Sequence, residues 1–301
     1  MKVLVTAGYG FIGSYLVEEL FRRNYDITVI DITSKKPIIL KKNKNLKIKF
    51  IKADISKKNK WYNLNIKYDA IIHLASPTDI QESINNPSKY FNTIMKGTLN
   101  TLEFAKKNNI KRFINIASAS CYGIADKYPT TENAKIKPQY PYALFKYLSE
   151  EMCLHWSKVY KLDVISLRLF NTYGPNSSGT FGKFIELYKK ALPLTITGKG
   201  DQSRDFIHVK DITQAIILSL KNKNLNGIFN VGTGKKTSML KLAQMFSNKI
   251  KFTKRRKNEM NLTHANIDKI KKKMNWKQKY TLKETIAKIK KDNEKHSKKN
   301  I

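Results

Sequence analysis

The chain has few cysteines, few acidic residues and no long apolar run. Its 301 residues include two cysteines, Cys121 and Cys153, which are too few for a disulfide framework and favour a reducing compartment. It has no stretch of about 18 uninterrupted apolar residues, so we expect no membrane span. Glycines interrupt the apolar N-terminal run early, and no small-residue cleavage site follows, so we expect no signal peptide. These absences predict a cytoplasmic protein.

Acidic residues are scarce relative to basic ones. Lys and Arg number 58 against 23 Asp and Glu, which gives a net charge of +35. Only seven of the basic residues are arginines, and the lysines are spread along the whole chain with abundant Asn and Ile, a composition typical of an AT-rich genome. Because no stripe interleaves arginine with aromatic residues, we do not expect nucleic-acid binding. A strongly positive surface would still attract small anions such as nucleotide diphosphates.

What the sequence does contain is an alternation of short β-branched runs and longer helical patterns. The runs predict strands at 2–7, 26–31, 47–54, 68–75, 111–118 and 163–170. Helical patterns separate most of them, notably at 14–23, 87–108 and 142–160. This alternation predicts an α/β fold with a Rossmann-type, doubly wound parallel sheet and a smaller C-terminal lobe. We expect the sheet domain at 1–170, with 205–235 returning to it, the second lobe at 171–204 and 236–290, and a basic tail at 291–301.

A glycine-rich loop, TAGYGFIGS, follows the first predicted strand and opens the first helix. It contains the spacing Gly8-x-Gly10-x-x-Gly13, and Asp31 ends the second strand 18 residues after Gly13. Glycine permits a tight turn and close approach to a pyrophosphate, which the helix N-terminus can bind. An acid at the second strand accepts hydrogen bonds from a ribose 2′-hydroxyl, which favours NAD over NADP. The sequence therefore predicts an NAD-binding domain at residues 1–170.

Further motifs occur in the order found in one known family. The matching stretches are Gly8 to Ser14, Asp54, HLAS at 73–76, Ser118, Tyr142 with Lys146, RLFNTYGP at 168–175, RDFIHVKD at 204–211 and FNVGTG at 229–234. To about residue 285 the sequence resembles the extended short-chain dehydrogenases/reductases of the nucleotide-sugar epimerase/dehydratase group. Ala7 departs from the glycine usual in the family, and we expect only a minor change in loop geometry. The resemblance implies cofactor contacts at Gly8, Gly10, Phe11, Ile12, Gly13, Asp31, Asp54, Ile55, Leu74, Ala75, Tyr142 and Lys146.

Tyr142 and Lys146 form the only Tyr-x-x-x-Lys spacing in the chain. Pro141 suits a first helical turn, and positions i and i+4 share a helix face, so we expect the two side chains to be adjacent. A free phenol has a pKa near 10, too high for a base at neutral pH, but a nearby ammonium and a positive nicotinamide ring both favour the phenolate. The resemblance makes this pair catalytic, and makes Ser118 the hydroxyl that hydrogen-bonds the reacting oxygen of the sugar.

The two residues after Ser118 bear on the reaction. Dehydratases of the resembled group usually carry an acid there, whereas this chain has Ala119 and Ser120, neither of which delivers a proton usefully. The sequence therefore favours a UDP-glucose 4-epimerase-like enzyme that oxidises and re-reduces C4 through a transient 4-keto sugar. A dehydratase, decarboxylase or 4-keto reductase of the same family, and a non-catalytic NAD-binding or nucleic-acid-binding protein, remain as alternatives.

The resemblance places substrate binding in the second lobe. It implies that Asn171, Arg204 and Arg256 contact the nucleotide diphosphate, and that Thr263 leaves room at the sugar C2 substituent. We therefore expect a UDP-hexose or UDP-N-acetylhexosamine as substrate, and a homodimer formed through the helices at 87–108 and 142–160. No His, Cys or Asp cluster has metal-ligand spacing, so no metal is expected. His73 and Cys121 are interpreted as structural.

Overall fold

Each apolar run that predicts a strand contains one in the structure. The computed structural model describes residues 1–223, 225–255 and 260–297. Its strands are β1 (Lys2–Thr6), β2 (Asp26–Asp31), β3 (Lys49–Lys52), β4 (Ala70–His73), β5 (Arg112–Ser118), β6 (Asp163–Leu169), β7 (Asn171–Tyr173), β8 (Leu194–Thr197), β9 (Ser203–Arg204), β10 (Phe206–His208), β11 (Gly227–Val231), β12 (Thr237–Ser238) and β13 (Ile250–Thr253).

Helices fill most of the connections between these strands. They are α1 (Phe11–Arg22), α2 (Ile38–Lys41), α3 (Ile80–Asn85), α4 (Pro87–Tyr90), α5 (Gly97–Lys107), α6 (Pro141–Tyr160), α7 (Thr180–Lys189), α8 (Val209–Lys221), α9 (Met239–Phe246), α10 (Asp268–Met274) and α11 (Leu282–Ser297). The last of them continues into the segment for which a basic tail was expected. None of the helices in the described ranges is both long enough and apolar enough to cross a membrane.

One large parallel sheet organises the described residues. Its seven strands stand in the order β11-β6-β5-β4-β1-β2-β3, and every neighbouring pair is parallel. The chain leaves β1 toward β2 on one side and returns to β4 on the other, so the strand order reverses between β1 and β4. Ligands of such sheets bind at the carboxyl ends of the strands beside this reversal. The expected fold class is therefore confirmed.

Each face of the sheet packs against helices, which explains the continuous apolar runs. Val3 and Val5 belong to a core shared with α1 and α8, whereas Leu4 belongs to a second core shared with α5 and α6. Strands buried on both faces need apolar residues at every position, not at alternate ones. A run such as KVLVT is therefore the signature of a central parallel strand.

The segment predicted as one helix at 87–108 is three consecutive helical pieces. α4 is followed by a π-helical stretch at Phe91–Lys96 and then by α5. At the junction, a Cβ on Gly97 would lie 2.7 Å from the Ile55 side chain. Glycine at this position therefore lets the helix approach the loop after β3 closely.

Residues outside the large sheet form short strand pairs and a separate core. β7 pairs with β10, β8 with β13, and β9 with β12. The buried residues of this core come from α7, α9 and α11 and from β7, β8 and β10, and the ring of Phe246 packs against those of Phe181 and Phe184. β7 carries Asn171, two residues after β6 ends, and β9 carries Arg204.

Candidate active site

Glycine shapes the loop between β1 and α1. A Cβ at Gly13 would lie 2.2 Å from the carbonyl oxygen of Ala7, and a Cβ at Gly8 would lie 2.7 Å from the side chain of Val29. No other residue fits either position without displacing its neighbour. No side chain caps the first turn of α1, so its N–H groups and positive dipole end are available to a phosphate.

Ala7 takes a backbone conformation that favours glycine. Its φ is 52°, in the left-handed region, which costs a residue with a Cβ about 1–2 kcal/mol. The turn still closes, because the Ala7 carbonyl accepts a hydrogen bond from the amide of Gly10 at 3.1 Å. The departure from glycine therefore adds strain to the loop but leaves the turn in place.

Asp31 stands at the end of β2 beside the glycine loop and is 7% exposed. Its Oδ2 accepts a hydrogen bond from the amide of Tyr9 at 2.9 Å, and its Oδ1 accepts one from the amide of Thr33 at 3.1 Å. Each carboxylate oxygen has a second lone pair, which can accept a ribose hydroxyl. The backbone thus fixes the carboxylate at the mouth of the predicted cofactor site.

The other predicted cofactor residues follow the same edge of the sheet. Phe11, Ile12 and Leu74 line a cavity there. The amides of Leu74 and Ala75 both donate to the hydroxyl of Thr6, at 3.0 and 3.2 Å. This single hydroxyl holds the turn after β4 against the end of β1.

Asp54 and Ile55 form the corresponding turn after β3. Asp54 Oδ1 accepts hydrogen bonds from the amide and the hydroxyl of Ser56, at 2.9 and 2.7 Å. The carbonyl of Ile55 accepts one from the side-chain amide of Asn100 at 2.9 Å. The structure therefore places both residues at the carboxyl edge, and their contact with a cofactor stays a prediction.

Ser118, Tyr142 and Lys146 come together around this cavity. Ser118 ends β5, while Tyr142 and Lys146 lie one turn apart at the start of α6, where Pro141 occupies the first turn. All three line the cavity. The hydroxyl of Tyr142 is hydrogen-bonded to the side chain of Ser118, and Lys146 Nζ donates to the carbonyl of Ile116.

Burial makes both ionisable members of this group harder to charge. It raises the pKa of Tyr142 above its usual value, against the opposing effect of the hydrogen bond from Ser118. It lowers the pKa of Lys146 to about 8. The lowered phenol pKa that the sequence predicts depends on the ammonium and the nicotinamide ring together. In the protein alone the opposite holds, because desolvation acts on Tyr142 more strongly than its neighbours do.

His73 and Cys121 are packed within the fold. The two ring nitrogens of His73 lie 3.1 Å from the hydroxyl of Thr6 and 3.0 Å from that of Thr98. Burial lowers the pKa of His73 to about 3 and raises that of Cys121 to about 12. His73 is thus neutral and hydrogen-bonded at both ring nitrogens, and Cys121 is a protonated thiol. Both states agree with the interpretation of these residues as structural.

The predicted substrate residues are only partly assembled around the cavity. Asn171 lines it, and its Oδ1 accepts a hydrogen bond from the hydroxyl of Thr263 at 3.1 Å. Arg204, which donates to the carbonyl of Ser203 at 3.0 Å, is not among the described residues that line the cavity. Arg256 lies outside the described residues.

The sequence reasoning missed a buried polar cluster beneath α6. Glu150 and Arg168 form an ion pair with side chains 1% and 3% exposed. Arg168 also donates to the hydroxyl of Tyr122 at 2.9 Å, and Tyr122 donates to Asn230 at 2.7 Å. The position of Glu150, one turn after Lys146 on the same face of α6, was the available sequence signal.

The cavity formed by these elements measures about 420 Å³. Among its lining residues in the described part of the chain, Lys146 is charged and none is acidic. It combines an anion-binding helix N-terminus with a phenol, an ammonium and a serine hydroxyl at the end of a strand. Such an arrangement suits a phosphate-bearing cofactor and proton transfer to or from a hydroxyl group.

The fold and this site define a class of protein. A doubly wound parallel sheet with a glycine loop, an acid after β2 and a Ser, Tyr and Lys group at its carboxyl edge is the arrangement of the extended short-chain dehydrogenases/reductases. The chain belongs to the NAD dependent epimerase/dehydratase family, whose model matches residues 3–232. NAD is therefore the cofactor, as the sequence predicted.

Individual relatives cover nearly the whole chain. A protein of Methanocaldococcus jannaschii with the provisional name UDP-glucose 4-epimerase is 33% identical, over 95% of this chain and 96% of its own length. The UDP-N-acetylglucosamine 4-epimerase structure of Methanobrevibacter ruminantium M1 is 30% identical with a TM-score of 0.87, over 95% and 97% of the two chains. The UDP-glucose 4-epimerase structure of Thermotoga maritima is 27% identical with a TM-score of 0.90, over 97% and 99%. Nucleotide-sugar 4-epimerases are thus among the proteins that this chain resembles.

Proposed function

We propose that the protein is an NAD-dependent nucleotide-sugar 4-epimerase that interconverts the C4 epimers of a UDP-hexose or UDP-N-acetylhexosamine. The observation that carries the proposal is the cavity lined by Ser118, Tyr142 and Lys146, beside which Ala119 and Ser120 offer no acidic group. That site can move a proton at one hydroxyl but has no carboxylic acid after Ser118 to expel a second substituent. The names of the relatives support the same reaction.

In the proposed mechanism Tyr142 takes the proton from the sugar 4-hydroxyl and later returns it. Ser118 is hydrogen-bonded to Tyr142 and would also hydrogen-bond the reacting oxygen of the sugar. Lys146 lies one helical turn away and lines the same cavity, and its positive charge would favour the phenolate. When bound, NAD⁺ would accept the hydride from C4 and later return the same hydride to C4, with no net consumption of cofactor, and its positive ring would further favour the phenolate. The 4-keto sugar turns over within the cavity before C4 is reduced on its other face.

The residues proposed to hold the substrate are Asn171, Arg204, Arg256 and Thr263. Arginine suits a diphosphate because its guanidinium is planar and bidentate. Thr263 is small and partly buried next to Asn171, which would leave room for an N-acetyl group at C2. Turnover of UDP-N-acetylglucosamine by the wild type should therefore exceed that of Thr263→Tyr, and equal rates would contradict this assignment.

We also propose that two copies of the chain associate through the face formed by the π-helical stretch and α6. Phe91, Leu144 and Leu148 are large apolar side chains on this face, and they are 42%, 40% and 38% exposed. Burying them against a second copy would remove apolar surface from water. Leu148→Glu should then lower the molar mass measured by light scattering from that of a dimer to that of a monomer.

Proton NMR tests the proposed reaction directly. Purified protein is mixed with UDP-glucose, UDP-N-acetylglucosamine and their dTDP and GDP counterparts, without added reductant. We expect a new anomeric signal from the C4 epimer of at least one UDP sugar, with no net NADH. Tyr142→Phe should slow the reaction by about 10²–10⁴-fold, the usual contribution of a general acid–base group, while still binding NAD.

Other products would identify the alternatives. A stable 4-keto product or a pentose would show a dehydratase or decarboxylase, and consumption of added NADH would show a 4-keto reductase. NAD binding without any change in a sugar, and without an effect of Tyr142→Phe, would indicate a non-catalytic NAD-binding protein.

A further inference from the structure

Thr263 joins two residues, Asp205 and Asn171, that are distant from it in sequence. Its Oγ1 accepts a hydrogen bond from the backbone amide of Asp205 at 3.2 Å and donates one to Oδ1 of Asn171 at 3.1 Å. Asn171 lines the cavity, whereas Thr263 is not among its lining residues in the described part of the chain. Thr263 is therefore connected to the cavity through its hydrogen bond to Asn171.

These two hydrogen bonds set the orientation of the Asn171 amide. A backbone N–H can only donate, so Thr263 Oγ1 must act as the acceptor toward Asp205. Its own proton is then left for Asn171, which presents its carbonyl oxygen to Thr263. The orientation of a side-chain amide follows from such a network. The NH₂ group of Asn171 is consequently the polar end that remains for the cavity.

Asp205, whose backbone amide donates to Thr263, is itself held in place by several hydrogen bonds. Asp205 is 0% exposed, and its carboxylate accepts hydrogen bonds from the amide and hydroxyl of Thr233, the amide of Gly234 and the amide of Ala265, at 2.7 to 3.1 Å. The carbonyl of Asp205 accepts a further hydrogen bond from the amide of Asn171 at 3.0 Å. Asn171 and Thr263 are thus both fixed to one buried anchor.

The cavity that Asn171 lines offers other groups that suit an anion. Ser177, Ser178 and Gly179, just before α7 begins, line the same cavity, and none of the lining residues in the described ranges is acidic. Ser177 Oγ is buried, and it has no hydrogen-bond partner among the described residues. An NH₂ donor, a hydroxyl donor and the positive end of a ten-residue helix would together bind phosphate oxygens.

We propose that Thr263 is a positioning residue for the diphosphate of the substrate, because its hydroxyl turns the NH₂ group of Asn171 toward that diphosphate. The proposal rests on the proposed function and adds to it. It assigns the hydroxyl of Thr263 a task separate from the small size of the side chain. The methyl group and the hydroxyl can therefore be tested independently.

Two substitutions separate these features. Thr263→Val keeps the volume and removes the hydroxyl, whereas Thr263→Ser keeps the hydroxyl and removes the methyl group. The affinity of the NAD-loaded protein for UDP is measured by titration calorimetry, and kcat and KM are measured with UDP-glucose. We expect Thr263→Val to weaken UDP binding about tenfold, which corresponds to about 1.4 kcal/mol, and to raise KM more than it lowers kcat. Thr263→Ser should bind UDP within about twofold of the wild type, since it keeps the hydroxyl that donates to Asn171.

A double-mutant cycle shows whether the effect passes through Asn171. In an Asn171→Ala background, Thr263→Val should weaken UDP binding no further. An undiminished effect in that background, unchanged UDP binding by Thr263→Val alone, or an equal loss in Thr263→Ser would each overturn the proposal. Thermal unfolding of each variant accompanies the titrations, so that a folding defect is recognised.

The UDP titration also separates this proposal from the proposed function. Wild-type protein that binds UDP but converts no sugar would contradict the epimerase assignment and leave the positioning test valid. Wild-type protein that binds neither UDP nor inorganic diphosphate would overturn both.

Discussion

Replacing Arg168 by methionine should destabilise the protein strongly, because Arg168 neutralises a buried carboxylate. Its Nε and Nη2 contact both carboxylate oxygens of Glu150 at 2.5 to 3.2 Å. Burial opposes the charge on Arg168, yet the hydrogen bonds and charge of Glu150 raise its pKa above the usual range. Methionine is of similar length but carries no charge, so Glu150 would be left buried without its cation.

The expected loss is about 4 kcal/mol. Removing one partner of a buried ion pair typically costs about 3–5 kcal/mol, and the hydroxyl of Ser166 would still donate to Glu150, at 2.9 Å. Arg168 also donates to the carbonyl of Glu132 at 3.1 Å, and that acceptor would lose its partner. Since a whole domain is stable by about 5–15 kcal/mol, the variant should be only marginally folded.

Urea unfolding followed by circular dichroism measures this loss as a shift in the midpoint. Lys190→Met is the matched control, because Lys190 and Glu186 form an ion pair at the surface. Their side chains are 60% and 61% exposed. Exposed pairs contribute about 0–1 kcal/mol, so this control should unfold near the wild-type midpoint. The double variant Arg168→Met/Glu150→Leu should recover much of the loss, because it removes the uncompensated charge.

Two results would refute this reasoning. A loss below about 1 kcal/mol for Arg168→Met would mean that the carboxylate of Glu150 finds another partner or becomes protonated at little cost. A double variant as unstable as the single one would mean that lost packing, not the unpaired charge, causes the effect.

Three further substitutions test the candidate site and the burial of ionisable groups. Lys146→Met should make the NAD-free protein more stable at pH 7 by about 3 kcal/mol, since the pKa of Lys146 falls from 10.5 to about 8 on folding and each unit corresponds to about 1.4 kcal/mol. This advantage should disappear in urea titrations as the pH rises from 8 to 10.5, and a difference that is constant with pH would contradict it. Gly13→Ala should weaken NAD binding at least tenfold in calorimetry, because its Cβ would lie 2.2 Å from the Ala7 carbonyl, whereas Gly179→Ala, with no atom within 4 Å of its Cβ, should retain NAD binding. Burial lowers the pKa of His208 to about 4, so its contribution to stability is lost as the pH falls from 6.5 toward 4, and His208→Gln should make the free energy of unfolding depend less steeply on pH in that range.

The sheet could be predicted because its signal is local. Val3, Leu4 and Val5 are consecutive apolar residues that serve cores on alternate faces, so the strand is visible within five letters. The glycine loop is equally local, since Gly8 and Gly13 each prevent a clash within the βαβ unit. No such local sign marks the π-helical stretch at Phe91–Lys96, where the apolar pattern continues into the flanking α-helices.

Polar contacts between distant segments could not be predicted in the same way. Thr263 and Asn171 are 92 residues apart and Thr233 and Asp205 are 28 apart, and neither pair has a periodic spacing. A serine, threonine or aspartate looks the same in the sequence whether it caps a turn or binds a distant backbone amide. The resemblance implies separate substrate contacts for Thr263 and Asn171, and only the fold shows that the two side chains are hydrogen-bonded to each other.

The buried ion pair of Glu150 and Arg168 bears on the proposed proton transfer, because Glu150 shares a face of α6 with Tyr142 and Lys146. Tyr142, Lys146 and Glu150 follow one another at successive turns, and Lys146 and Glu150 are both buried. A carboxylate one turn from a lysine would ordinarily pair with it, which would neutralise the ammonium beside the phenol. Here Glu150 accepts hydrogen bonds from Arg168 and Ser166, while Lys146 donates one to a backbone carbonyl. Arg168 thus leaves the charge of Lys146 available at the cavity, where the proposed proton transfer at Tyr142 requires it.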